Sequence, residues 1–328
     1  MKDGDKYSCT SNVVKLLKHL GTLKEIQEGR PTPIMVHMIP THKCQLKCVH
    51  CCFRNRKDKL ADMEWKVWLE GMHQFIDLGT KAFEFTGGGD PLLWPHINDA
   101  IDFIWMSTEK LHAGLITNGL ALRDLKHPEY LDWIRVSLNT LDYIIDDGLE
   151  PLFEKNIRNI MEATSVSFCY IWNKFSDNNI GKVVEFSNRL GIVCRMAPDC
   201  IQTPQQIEAE VEHIAFSLQP FKDNEKVFLS DFNVKTVRKN NHCYIHTLKP
   251  CFYLDGWIYA CPSAELAIEN NRQVADSVRV CTYDQIFNYY TSEKAIKHKE
   301  FDCSYCKYVE QNELIEALLM PTDFNDFA

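Results

Sequence analysis

The chain has 328 residues, 45% of them hydrophobic, enough for one large α/β unit and a smaller one beside it. Its formal charge of −9, from 36 basic and 45 acidic residues, argues against broad nonspecific binding to nucleic acid or to an anionic membrane, because both need a basic face. The opening Met1-Lys2-Asp3-Gly4-Asp5 lacks an apolar signal core, and no apolar run approaches the roughly 18 residues of a spanning helix, so a cytoplasmic protein without membrane contact is expected.

Residues 1–32 read as a polar lead-in with one amphipathic helix, Val13 to Gln27. A strand over Ile34 to Ile39 leads into a cysteine-bearing loop. Asp62 is placed to cap the next helix, in which Trp65, Trp68, Leu69, Met72 and Ile76 share one face, and Gly79 is placed to end it. Ala82 to Thr86 is a second strand, closed by Gly87-Gly88-Gly89-Asp90-Pro91. A helix over 97–109 and strands at Gly114 to Thr117 and Trp133 to Leu138 follow. Next come a helix near 151–163, a strand at Val166 to Ile171, a helix at Val183 to Leu190 and a sixth strand at Ile192 to Met196.

Strand–helix repeats of this length predict right-handed βαβ units and a parallel sheet. An open partial barrel and a flat doubly wound sheet both satisfy the pattern. After Cys200 the pattern changes. Residues 204–218 suggest a polar linking helix, 219–240 are mixed and charged, and Cys251 to Cys261 reads as a hairpin turning at Asp255-Gly256. The expected organisation is therefore a lead-in (1–32), an α/β unit (33–200), a linker (201–240) and a small C-terminal unit (241–328).

In a reducing compartment the 14 cysteines need a reason other than disulfides. Cys169 and Cys194 lie in apolar strands and read as core thiols, while Cys9, Cys200 and Cys281 stand alone. The rest form two groups, which suggests metal. In the first, Cys44, Cys48 and Cys51 follow the first strand with spacings of three and two residues. Thiolates so close in sequence can converge on one iron–sulfur cube or one zinc ion. Structural zinc favours four ligands in paired knuckles, whereas a cube held by three thiolates keeps one open iron. Cys52 reads as a packing residue, and the basic run Arg54, Arg56, Lys57, Lys59 as a solvated face.

Cys-x3-Cys-x2-Cys after the first strand resembles the radical S-adenosylmethionine (SAM) superfamily. Gly87-Gly88-Gly89-Asp90-Pro91 is similar to that family's Gly-Gly-Glu-Pro loop, and Thr117-Asn118-Gly119 and Ser137-Leu138-Asn139 end strands three and four at further family signatures. The resemblance covers roughly residues 33–200 and implies a partial (β/α)6 TIM-like barrel, with these loops on one face. It implies a catalytic 4Fe-4S cluster on Cys44, Cys48 and Cys51, whose open iron chelates SAM. Reduction, by a donor such as flavodoxin or ferredoxin, cleaves SAM, and the resulting 5′-deoxyadenosyl radical takes hydrogen from a substrate.

Carried over in the same way, the SAM-binding residues are His50, Gly87, Gly88, Gly89, Asp90, Asn118, Ser137, Asn139 and Arg195. The glycines would admit backbone close to the methionyl amino group. Ser137 and Asn139 would reach the ribose or carboxylate, and Arg195 would pair with the carboxylate. The sequence departs from the family at His50, where an aromatic residue is common, and at Asp90, where the family has Glu.

The second group, Cys243, Cys261 and Cys303-x2-Cys306 with Gly256 between, is similar to the superfamily's twitch or SPASM extension. That resemblance implies a small α+β domain with one auxiliary 4Fe-4S cluster. With Cys251, five cysteines compete for at most four positions. Cys243, Cys261, Cys303 and Cys306 are favoured, Cys251 is the substitute, and three ligands with an open iron also fit. The implied activity is radical oxidation or rearrangement, as an oxidoreductase or mutase, of a small molecule, nucleotide or peptide. With no peptide-recognition unit before the barrel, a small molecule or nucleotide is mildly favoured. The competing reading is a zinc-binding structural or nucleic-acid-interaction module, against which the acidity and the glycine loop both count.

Overall fold

The computed structural model describes residues 13–51, 53, 62–144, 147–172, 179–199, 204–229, 236–237, 242–261, 278–298, 300–301, 305–306 and 308–320. Two short helices, α1 (Val13–Leu16) and α2 (Leu20–Gln27), stand where one was expected. Turn hydrogen bonds from Lys18 N and His19 N to Lys15 and Leu16 carbonyls separate them.

Strand β1 (Met35–Ile39) leads to α3 (Trp65–Leu78), and β2 (Ala82–Phe85) to α4 (Ile97–Trp105). After β3 (His112–Thr117) and β4 (Trp133–Ser137) come the short α5 (Leu141–Ile144) and α6 (Glu150–Met161). The series continues with β5 (Ser165–Trp172), α7 (Ile180–Leu190) and β6 (Cys194–Pro198), then α8 (Pro204–Ser217). The six strands pair in parallel in chain order. The sheet is a partial barrel that does not close.

Period-two alternation gives the sheet two unlike faces. One face carries Phe83, Phe85, Leu115, Ile134, Val136, Phe168 and Tyr170, all buried. The α3 helix packs on that face, with Trp68 stacked on Phe85 at 6.4 Å. The opposite face carries His37, Glu84, Arg135, Ser167 and Arg195. A sheet covered by helices on both sides would be apolar on both. Here the outer face is, whereas the inner one mixes these polar residues with Ile116, Trp133 and Ile171.

Several elements differ from the sequence pattern. Asp62 does not cap α3, whose first turn follows Glu64 without a side-chain cap. Its carboxylate instead accepts a 2.7 Å hydrogen bond from Thr41 Oγ1 and pairs with Lys43 Nζ at 2.5 Å, partners that no local pattern reveals. Gly79 ends α3 in the left-handed region as expected, with φ 99°. The α4 helix stops at Trp105, because the Ser107 hydroxyl takes the Glu109 N–H in a local turn. A seventh parallel strand, β7 (Val227–Leu229), adds to β6 within the stretch read as mixed. Its signal is only three apolar residues.

The β8 strand (Thr236–Val237) belongs to a separate pair. The predicted hairpin is present as β9 (Cys251–Tyr253) and β10 (Trp257–Tyr259), followed by β11 (Arg279–Thr282). It joins the barrel's own sheet, since β9 pairs in parallel with β1 in the register His37 to Cys251 and Ile39 to Tyr253. Antiparallel to β8 lies β12 (Tyr305–Cys306). No helix among the described residues is long and apolar enough to cross a membrane.

The inner face holds a buried ionic group. His37 Nδ1 lies 2.6 Å from Glu84 Oε1, and Lys249 Nζ lies 3.9 Å from Glu84 Oε2. Burial alone would raise the Glu84 carboxyl, but Lys249, His37 and Arg135 together outweigh it and hold it well below the usual range. Burial lowers the His37 imidazole, against the pull of Glu84. Glu84→Gln should therefore cost about 3 kcal/mol of stability, read as a lower thermal midpoint, because it leaves Lys249 without its counter-charge. A depressed folded pKa stabilises the fold above the unfolded value of about 4.3 and loses that contribution as pH falls further. The gap between the variant and the parent should thus narrow in acid.

Candidate active site

The first cysteine group lies in the loop that leaves the carboxyl end of β1. Cys44 is exposed, and Cys48 and Cys51 are half-exposed. Cys51 N–H donates to the Cys48 carbonyl at 3.2 Å, and Val49 N–H to the Tyr143 hydroxyl at 3.2 Å, which moors the loop to α5. Burial pushes the Cys48 thiol up to about 11, with Cys51 and Cys44 adding to the rise and Tyr143 opposing it. The Cys48 sulfur thus lies within electrostatic reach of both Cys44 and Cys51. Among the described residues, no three His, Cys, Asp or Glu side chains converge on a point that one ion could occupy.

The Cys44 sulfur also receives donors. Leu46 N–H reaches it at 3.5 Å and Asn118 Nδ2 at 3.6 Å. Such bonds favour thiolate over thiol, while burial raises the Cys44 thiol overall. Asn118 also donates to Gln45 Oε1 at 2.9 Å. A donor set of three soft thiols on one short loop, with polar hydrogens aimed at one of them, fits an iron–sulfur cube.

Below that loop lie the glycines. Gly89 N–H donates to the Thr41 carbonyl at 2.8 Å, and Asp90 N–H to the Lys43 carbonyl at 2.7 Å. A Cβ on Gly88 would overlap the His42 ring and come 2.9 Å from Thr41 O, and one on Gly89 would overlap the Lys43 backbone. Their missing side chains make room for residues 41–43, the segment that delivers Cys44.

Asp90 is 2% exposed. Its Oδ2 accepts from Thr117 Oγ1 at 2.8 Å and Asn118 N–H at 2.6 Å, and its Oδ1 from Leu92 N–H at 3.0 Å. Burial raises this carboxyl, against the pull of those donors. One side chain therefore locks the glycine loop to the end of β3, and so places Asn118 beside Cys44. Asn139 plays a similar part between strands: its amide donates to Ile171 O and accepts from Ile171 N–H, both at 2.8 Å. Ser137 is half-exposed at the end of β4, with its hydroxyl 3.5 Å from Asn139 Oδ1. Arg195 sits on β6, in register with Cys169 on the inner face and half-buried. Burial draws the His50 imidazole down to about 4, so the ring beside Cys51 is neutral.

Residues that sequence reasoning missed are Thr41, His42, Asp62, Tyr143 and Tyr253. Thr41 and His42 had a signal, since they stand between strand and cysteines. Tyr143 and Tyr253 had none, because they arrive from distant elements.

In the second group, Cys243 and Cys251 are buried, and Cys261 and Cys306 are half-exposed; Cys303 lies outside the described residues. The Cys306 sulfur accepts from Tyr308 N–H at 3.2 Å and Asn312 Nδ2 at 3.7 Å, while Asn312 Oδ1 accepts from Tyr244 N–H at 2.7 Å. Asn312 thus links Cys306 to the residue beside Cys243. Cys251 is 1% exposed in β9, across from His37. Cys194 is fully buried and Cys169 nearly so, as expected of core thiols.

Residues 38–186 match the sequence profile of the Radical SAM superfamily. That stretch is a radical SAM domain. Its 93-residue match to the antilisterial bacteriocin subtilosin biosynthesis protein AlbA of Bacillus subtilis (strain 168) is 27% identical and covers 28% of this chain and 20% of AlbA. A GTP 3′,8-cyclase of Nostoc sp. is 28% identical over 117 residues, 33% of this chain and 35% of that enzyme. The matched part is thus about a third or less of either curated relative. In fold, the chain is similar to Streptococcus suis SuiB, whose crystal structure has the precursor peptide SuiA bound, with a TM-score of 0.60 at 14% identity, over 88% of this chain and 72% of SuiB. The superfamily implies a 4Fe-4S cluster and SAM.

Packing at the glycine loop generates a direct expectation. Gly88→Val should push residues 41–43 off the loop, so iron content after anaerobic reconstitution should fall well below the parent's, together with SAM binding. Iron retained with SAM affinity lost would instead return the glycine's space to SAM.

Proposed function

We propose that this radical SAM enzyme holds its catalytic cluster on Cys44, Cys48 and Cys51 and modifies an unactivated C–H bond of a peptide substrate. The observation that carries the catalytic part is the convergence of three elements on Cys44. The β1 loop brings the sulfur, the glycine loop carries the segment before it, and Asn118 at the end of β3 aims an N–H at it. Bound there, the cluster and SAM supply one-electron cleavage and hydrogen abstraction.

This chain's own residues hold and shield. Asp90 fixes Asn118, Tyr143 fixes the loop backbone at Val49, and Asn139 keeps the ends of β4 and β5 together. Ser137 and Arg195, on the inner face, would meet SAM, and neutral His50 would stack without bringing charge. The substrate would enter the inner face below. A peptide is favoured by the likeness to AlbA and by SuiB's bound precursor, against the lean of the sequence toward a small molecule. A nucleotide is the second reading, supported by the likeness to the cyclase and by buried Arg135 and Lys249 on the inner face.

For the C-terminal group, the reading is one auxiliary cluster in a twitch-like unit, with Cys243, Cys261, Cys303 and Cys306 as ligands. The Asn312 bridge supports Cys243 over Cys251, because Cys251 is enclosed within the sheet.

Reduced protein should cleave SAM to 5′-deoxyadenosine without substrate, and Cys48→Ala should abolish the product in a chromatographic assay. Retained cleavage in that variant would sink the assignment. Cys243→Ala should remove up to about half the iron, given two four-iron cubes, whereas Cys251→Ala should remove little. A larger iron loss from Cys251→Ala would reverse the ligand choice.

A further inference from the structure

His42 occupies an unusual position. It is two residues before Cys44, its ring covers Gly88, and its Nε2 shares a 2.7 Å hydrogen bond with the Tyr253 hydroxyl. The two rings also meet edge to face at 5.5 Å. Tyr253 is not part of the barrel's chain segment. It is the last residue of β9, 211 positions along the chain, and it reaches His42 because β9 lies beside β1 with Ile39 and Tyr253 in register.

Tyr253 is itself held firmly. It is 2% exposed and packs edge to face on Tyr259 at 5.4 Å. The Tyr259 hydroxyl donates to Asp255 Oδ2 at 2.8 Å. Cys261 follows Tyr259 by two residues. A continuous set of contacts therefore runs from the second cysteine group, through the hairpin, to the segment that presents Cys44.

We infer that Tyr253 is a positioning residue for the catalytic loop: through His42 it clamps residues 41–44 onto the glycine loop, so the C-terminal hairpin sets how Cys44 is presented. Local forces explain why the clamp is needed. Cys44 is exposed, and residues 43–45 lie at the surface, so the loop has little apolar burial of its own to order it. Gly88 cannot supply a side chain to hold the His42 ring, because the ring fills that space. The hydroxyl of Tyr253 fixes it instead.

The inference rests on reading Cys44, Cys48 and Cys51 as cluster ligands, and its test separates the two. In metal-free, full-length protein, hydrogen exchange read by mass spectrometry should show faster exchange in the peptide spanning residues 41–51 for Tyr253→Phe. Amides of β4 and β5 should keep the parent's protection. His42→Ala should do the same, the double variant should add nothing further, and His42→Gln, which keeps a polar nitrogen, should recover part of the protection. In reconstituted protein, Tyr253→Phe should weaken SAM affinity by about 3- to 10-fold, the scale of one hydrogen bond. It should also alter the electron paramagnetic resonance signal of the reduced cluster with SAM.

Unchanged loop exchange in Tyr253→Phe, or additive effects of the two substitutions, would overturn the clamp. If Tyr253→Phe loosens β4 and β5 as well, the His42 pair decides: equal exchange in His42→Ala and His42→Gln counts against it. A parent protein that takes up no iron would remove the cluster reading while leaving the exchange result standing.

Discussion

Everything at the candidate site depends on the close approach of two backbones, the glycine loop after β2 and residues 41–43 after β1. Two main-chain hydrogen bonds join them, from Gly89 to Thr41 and from Asp90 to Lys43. The approach is possible only because positions 88 and 89 have no Cβ. From that seam the rest is placed in turn. Asp90 leaves it pointing at the end of β3, Asn118 is set by Asp90, and Cys44 meets Asn118. A single carboxylate thus carries the seam's geometry across the sheet.

The barrel supplies the setting for that seam through the asymmetry of its two faces. Outward residues are large and apolar, and they bury against helices. Inward residues are mixed, with His37, Glu84, Arg135 and Arg195 among Ile116, Trp133 and Ile171. Burying Glu84 is tolerable because Lys249, His37 and Arg135 surround it. The sheet continues onto the hairpin, since β9 extends it past β1.

That continuity gives the C-terminal segment two parts to play. Its Cys306 and the chain near Cys243 are brought together by Asn312, away from the seam. Its Tyr253 returns to the seam and touches His42. Small-unit cysteines and barrel cysteines are therefore parts of one connected structure, even though 190 residues of chain, 53–242, separate them.

How much of this was legible follows from the range of the forces. The sequence by itself determined the strand–helix repeat, the open parallel sheet and the candidate cysteine loop, because periodicity and thiol spacing are local. It also placed the hairpin, through Asp255-Gly256. It misjudged Asp62, whose cap-like position next to a helix was outweighed by Thr41 and Lys43 across the loop. It read the glycines as making room for a ligand, and the structure adds that a Cβ at positions 88 and 89 would meet residues 41–43 of the chain itself. Only the tertiary structure decided that the hairpin adds to β1, that Asn139 binds β5, and that Tyr253 reaches His42. These depend on strand register and on contacts between residues tens to hundreds of positions apart. No local pattern encodes such contacts, because their free energy appears only once the sheet has brought the partners together.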